Sequence, residues 1–91
     1  MVSGKVVIKS ETGLHLRPAS DLCNLAIGFS CKIELKTENR IINAKSVLGV
    51  LSACIRHEDE VELVCDGENE EEAFYVISQA LADDFAQYHK N

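Results

Sequence analysis

The sequence predicts an α+β fold of two layers, a β-sheet covered on one face by helices. Two observations carry this. The chain switches repeatedly between segments of period two and segments of period 3.6. Each strand-type segment has one apolar face and each helical one a single apolar stripe, so each layer buries one side. With 91 residues there is room for one small domain, spanning 1–91, with a thin core and no deep internal cavity.

Lys5–Lys9 is a short β-branched run and predicts the first strand. Ser10 to Leu14 reads as a loop, with Gly13 allowing a turn that other residues resist. From Leu16 the period changes. Ala19, Leu22, Cys23 and Ala26 mark a helix with one apolar stripe. Pro18 falls in its first turn, where a missing N–H costs nothing, and Gly28 closes it. Cys31 to Lys36 alternates apolar and charged, the clearest strand in the chain. Glu38-Asn39 interrupts it and Arg40–Asn43 resumes, which predicts a hairpin.

Ser46 is then the N-cap of a short helix through Val47, Leu48, Val50 and Leu51. Val61–Cys65 predicts a fourth strand, ended by the turn pair Asp66-Gly67. Asn69 with Glu72 resembles a capping box, and Glu70 and Glu71 suit the positive end of a helix dipole. Ala73, Val76, Ile77, Ala80, Leu81 and Phe85 form the inward stripe of the last helix. The order is β-α-β-β-α-β-α. Sequence alone leaves the strand order open.

Nine basic residues against fifteen acidic ones leave a net charge of −6, which excludes a generic nucleic-acid binder. No apolar run approaches the roughly 18 residues of a membrane span, and the first residues lack a signal peptide's apolar segment. A soluble, cytoplasmic protein is expected. The cysteines at 23, 31, 54 and 65 have no Cys-x-x-Cys spacing and no nearby His at zinc-ligand spacing. They are expected as small buried hydrophobes rather than a disulfide framework, Cys54 included, and no metal or other cofactor is expected.

Gly13-Leu14-His15-Leu16-Arg17-Pro18-Ala19 carries the chemistry. His15 falls at the N-cap of the first predicted helix. The unpaired N–H groups and partial positive charge there favour anions, phosphate above all. A neutral imidazole in that place is a nucleophile, and positive surroundings should hold its pKa below the usual value of about 6.5. Arg17, two residues on, has a planar guanidinium that can grip phosphate oxygens at two points. Spacing alone leaves a plain surface loop open as well.

Residues 13–20, continuing to Ser20, closely resemble the active-site motif of the HPr family, phosphocarriers of the bacterial phosphoenolpyruvate:sugar phosphotransferase system. Asn43-Ala44-Lys45-Ser46-Val47-Leu48-Gly49-Val50-Leu51-Ser52 resembles the regulatory serine segment of its Gram-positive members. The resemblance implies an open-faced β-sandwich, a four-stranded antiparallel sheet with three helices on one face. It implies that His15 takes a phosphoryl group on Nδ1 from Enzyme I and passes it to IIA components of sugar permeases, with Arg17 steadying it. It implies that Ser46 is phosphorylated from ATP by HPr kinase/phosphorylase. Val47, Leu48 and Leu51, with Leu16, would form an exposed apolar docking patch.

A phosphate at Ser46 should weaken Enzyme I docking and create a site for a catabolite-control transcription regulator. The expected protein is a monomeric carrier component of a transferase system rather than a stand-alone enzyme. The alternatives are an HPr-like protein that acts only in regulation, a carrier of the nitrogen-related branch, and a non-catalytic α+β binding module. The sequence departs from the family pattern in places. Leu16 replaces a smaller residue, and Asn24 and Ile27 stand where some members have lysines. Cys54 stands where a glycine is common, and His57-Glu58-Asp59 lacks a loop glycine. His57 and His89 are expected as solvated surface residues.

Overall fold

A computed structural model describes residues 1–11, 13–14 and 16–86. The predicted element order is observed: β1 (Val2–Val7), α1 (Leu16–Ile27), β2 (Lys32–Lys36), β3 (Ile41–Asn43), α2 (Val47–Ser52), β4 (Glu60–Asp66) and α3 (Glu70–Ala82). The strands form one antiparallel sheet in the order β1-β4-β2-β3. β4 therefore lies between β1 and β2 and makes both central ladders. Each connection through α1 or α2 joins parallel strands that have another strand inserted between them. The β2–β3 hairpin pairs Leu35 with Ile42, and Thr37 N–H closes its loop on the Arg40 carbonyl at 2.9 Å.

The inward face of the sheet presents Val6, Val61, Leu63, Cys65, Ile33, Leu35 and Ile42, all buried. The helices return Ala19, Leu22, Ala26, Val50, Ala73, Ile77 and Leu81 to the same core. α3 packs on β1 and β4, and α1 packs on α2 and α3. The approach of α3 is close enough that a Cβ on Gly4 would lie 2.8 Å from the Phe74 ring. The outer face is polar, with Lys5 opposite Glu62 and Glu62 opposite Lys36, an alternation that favours the register. Val64 is the exception. It points outward yet is buried, because β4 is central and its neighbours shield it.

Several expectations need correction. β1 begins at Val2 and ends at Val7, so it sits earlier than the β-branched run suggested. The Asn69–Glu72 capping box does not form. Asn69 adopts a left-handed conformation with no side-chain cap, and Glu70 instead accepts from Gly67 N–H at 2.9 Å. That bond, the larger cause, together with the N-terminal ammonium, holds the Glu70 carboxyl below its usual pKa. Gly28 ends α1 without a left-handed turn, through short-range bonds from Gly28 N–H to Leu25 and Phe29 N–H to Ala26.

Phe85 is buried as expected, but not on a helical stripe. α3 stops at Ala82, Asp84 and Phe85 take positive φ, and Phe85 N–H reaches back to the Ala80 carbonyl at 2.7 Å. This is a Schellman-type closure that folds an apolar residue under the helix end. Val76 is half-buried. Cys23, Cys31 and Cys65 are buried free thiols, whereas Cys54 is exposed, contrary to expectation. It lies past the end of α2 with φ +54, which turns its side chain out of the core.

Candidate functional site

The site is built on two loops that hold each other. The first, Ser10–Leu14, leads from β1 into α1. The second, Ile55–Asp59, leads from α2 into β4. Leu14 N–H donates to the Ile55 carbonyl at 2.9 Å, and Gly13 N–H donates to the Ser10 carbonyl at 3.0 Å. Gly13 has φ +73 and lies flat on the second loop, where a Cβ would collide with the backbone of Ile55 and Arg56. Glycine is therefore required twice over, by conformation and by space.

The second loop is braced in turn. Arg56 N–H donates to an Asp59 carboxylate oxygen at 2.8 Å, and Asp59 N–H returns to the Arg56 carbonyl at 3.0 Å. Glu58 N–H meets the Ile8 carbonyl at 2.8 Å, with Glu58 at φ +74. A positive φ at both Cys54 and Glu58 explains why glycine suits these positions in the resembled pattern. This chain carries side chains there at some conformational cost.

α1 starts at Leu16, so position 15 directly precedes the first helical residue, as predicted. His15 itself lies outside the described residues, as does His89, and so does the expected pKa of His15. Leu16 is 65% exposed and Arg17 is exposed on the same first turn. Pro18 is half-buried beside them. Leu14 is buried and anchors the chain just before the site.

Ser46 is the N-cap of α2. Its hydroxyl accepts from Gly49 N–H at 3.0 Å, and its backbone φ of −114 is extended. The turn before it is tied to α1. Cys23 Sγ–H donates to the Lys45 carbonyl at 2.9 Å, and Lys45 Nζ–H donates to the Phe29 carbonyl at 2.7 Å. The far end of α2 is clasped by Arg40, which donates to the Ser52 carbonyl at 2.8 Å and the Ser52 hydroxyl at 3.2 Å. The apolar patch is smaller than expected: Leu48 is 79% exposed, but Val47 and Leu51 are half-buried. Leu51 packs against the core. α2 buries Val50 and packs on α1, which leaves Val47 and Leu51 at the edge of the contact and only Leu48 fully outside.

Among the described residues no group of His, Cys, Asp and Glu is placed to hold a metal ion, and no helix is long and apolar enough to cross a membrane. Sequence reasoning missed the bracing residues Ser10, Arg40 and His57. Their partners lie far along the chain, and no local pattern reports such contacts.

The model of the PTS HPr component phosphorylation site matches residues 2–83. The chain belongs to the PTS HPr family. The phosphocarrier protein HPr of Lysinibacillus sphaericus is 37% identical over 83 residues, covering 91% of this chain and 94% of that protein. The crystal structure of HPr-C-His from Thermoanaerobacter tengcongensis superposes with a TM-score of 0.89 at 34% identity, covering 93% and 96% of the two chains. Crh of Bacillus subtilis, described as a swapped dimer, has a TM-score of 0.72 at 33% identity, covering 92% and 95%. The open-faced sandwich is thus the family's fold.

Proposed function

We propose that this protein accepts a phosphoryl group on His15 from phospho-Enzyme I and hands it to IIA components of sugar permeases. In the first step the His15 Nδ1 lone pair bonds to phosphorus as the bond from phosphorus to the Enzyme I donor group breaks. In the second an acceptor group of the IIA component bonds to that phosphorus as the Nδ1–phosphorus bond breaks. The observation that carries the reading is the position of His15. α1 starts at the next residue, Leu16, the preceding residue, Leu14, is pinned to the second loop, and Arg17 stands in the first helical turn. The first-turn N–H groups and the guanidinium offer positive charge to a phosphoryl group, which supports transfer both in and out.

Incubation with phosphoenolpyruvate and Enzyme I, followed by intact-mass spectrometry, tests it. One acid-labile phosphoryl group is expected on the wild type and none on His15→Ala. An unmodified wild type, beside an Enzyme I active on its own carrier, would refute it.

Regulation at Ser46 is the second part of the proposal. Its hydroxyl caps α2, next to the exposed Leu48. HPr kinase/phosphorylase would transfer the ATP γ-phosphoryl group to Oγ, releasing ADP and the hydroxyl proton. The added charge of about −1.5 to −2 is compatible with a helix start but alters the docking face. Slower His15 phosphorylation in Ser46→Asp, with gain of binding to a catabolite-control regulator, is the expected result. A purely regulatory role is the second reading, favoured by the likeness to Crh. The proposed state is a monomer, and light scattering separates it from the swapped dimer described for Crh.

A further inference from the structure

We infer that His57 is a positioning residue for phosphoryl transfer, acting by holding the loop that delivers position 15. The inference rests on the carrier reading above. His57 lies on the Ile55–Asp59 loop, and its Nδ1 is 3.0 Å from the carbonyl oxygen of Ser10, 47 residues away. A carbonyl only accepts, so Nδ1 carries the proton and donates. The same carbonyl takes Gly13 N–H at 3.0 Å, filling both of its lone pairs.

Ser10 is the buried polar residue at the start of the loop, 6% exposed. Fixing its carbonyl fixes the turn through Gly13 and Leu14, and with it the exit toward α1. On its other side the ring faces Glu58, with Nε2 3.3 Å from the carboxylate, and Glu58 reaches Lys9 at 4.0 Å. The imidazole is exposed, as expected of a surface residue, with 44% of its side chain accessible, yet it ties its own loop to Ser10.

In-line transfer demands a well-placed nitrogen, and slack in the loop would reduce the share of productive geometries. Nothing in the contact touches the reacting atoms, so the effect should fall on kcat rather than on partner affinity. His57→Leu keeps bulk but removes the donor. His57→Asn keeps it, because the asparagine amide nitrogen stands where Nδ1 does.

The test measures phosphorylation by Enzyme I with both variants, beside amide hydrogen exchange at Gly13 and Leu14. His57→Leu should lower kcat about fivefold, the size of one lost hydrogen bond, with KM unchanged. It should exchange faster at both amides, with β4 amides unaffected, and His57→Asn should stay within about twofold of wild type on both counts.

Equal kcat in wild type and His57→Leu would overturn the inference. So would a loss confined to KM, or an equal loss in His57→Asn. A wild-type chain that takes no phosphoryl group refutes the carrier reading itself, and the positioning role falls with it. A wild type that is phosphorylated while His57→Leu is unimpaired refutes only the brace.

Discussion

Replacing Gly13 by alanine tests the physical basis of the site most directly. The residue has φ +73, and an added Cβ would lie 2.8 Å from Arg56 Cα and closer still to the Ile55 carbonyl oxygen. Holding an L-residue in the left-handed region costs about 1–2 kcal/mol. The backbone atoms cannot swing aside like a flexible side chain, so the two loops must part. That loses the Leu14-to-Ile55 hydrogen bond, worth about 1 kcal/mol net.

Alanine's lower unfolded-state entropy returns about 0.4–1 kcal/mol. With the remaining overlap the balance is a destabilisation of about 2–3 kcal/mol, or a fall in Tm of roughly 8–24 °C for a chain of this size. Urea and thermal unfolding followed by circular dichroism measure it. Gly28→Ala is the control: Gly28 is not in the left-handed region, and its Cβ would meet only the Leu25 carbonyl at 3.4 Å. That variant should stay within about 0.5 kcal/mol of wild type. If Gly13→Ala behaved like Gly28→Ala, the account of the two braced loops would be wrong.

Among the four cysteines, Cys54 should react alone with a thiol reagent in the native state. Burial, with the nearby Cys31 second, pushes Cys65 from 9.0 to about 11, so at pH 8 about one molecule in a thousand carries that thiolate. Labelling of more than one thiol per folded molecule would contradict this. Glu70 contributes stability present above the usual glutamate pKa and lost as pH falls through its lowered one. Glu70→Gln should therefore flatten the fall in Tm between neutral pH and pH 3, and an unchanged acid slope would count against the Gly67 contact. Ser46→Ala should cost about 1 kcal/mol through the lost cap, while Ser46→Asp, itself a good cap, should not. Urea midpoints distinguish them, and equal values would show that the cap contributes nothing.

What could be read from the chain alone was whatever local periodicity and local chemistry specify. Alternation in Cys31–Lys36 marked β2, the stripe Ala19–Ala26 marked α1, and Ser46 marked a helix start, because each is decided within a few residues. The motif around His15 and Arg17 was legible for the same reason. Boundaries fared worse where two local signals competed. Asn69 and Glu72 had the spacing of a capping box, yet the Asp66-Gly67 turn placed Glu70 closer to an unpaired N–H, and that contact won. Phe85 kept its burial but left its helix, since the helix end was set by backbone closure rather than by the apolar stripe.

Tertiary structure alone decided the strand order, with β4 central, and so the burial of Val64 on an otherwise polar face. It decided that Cys54 faces outward and that Val47 and Leu51 are half-hidden. It also joined Ser10 to His57 and Gly13 to Arg56 across more than forty residues of chain. Such contacts depend on how two loops meet in space, and composition and period carry no record of that. The residues proposed to carry the phosphoryl group stand in one short local motif, but the two loops next to that motif are brought together only by the fold.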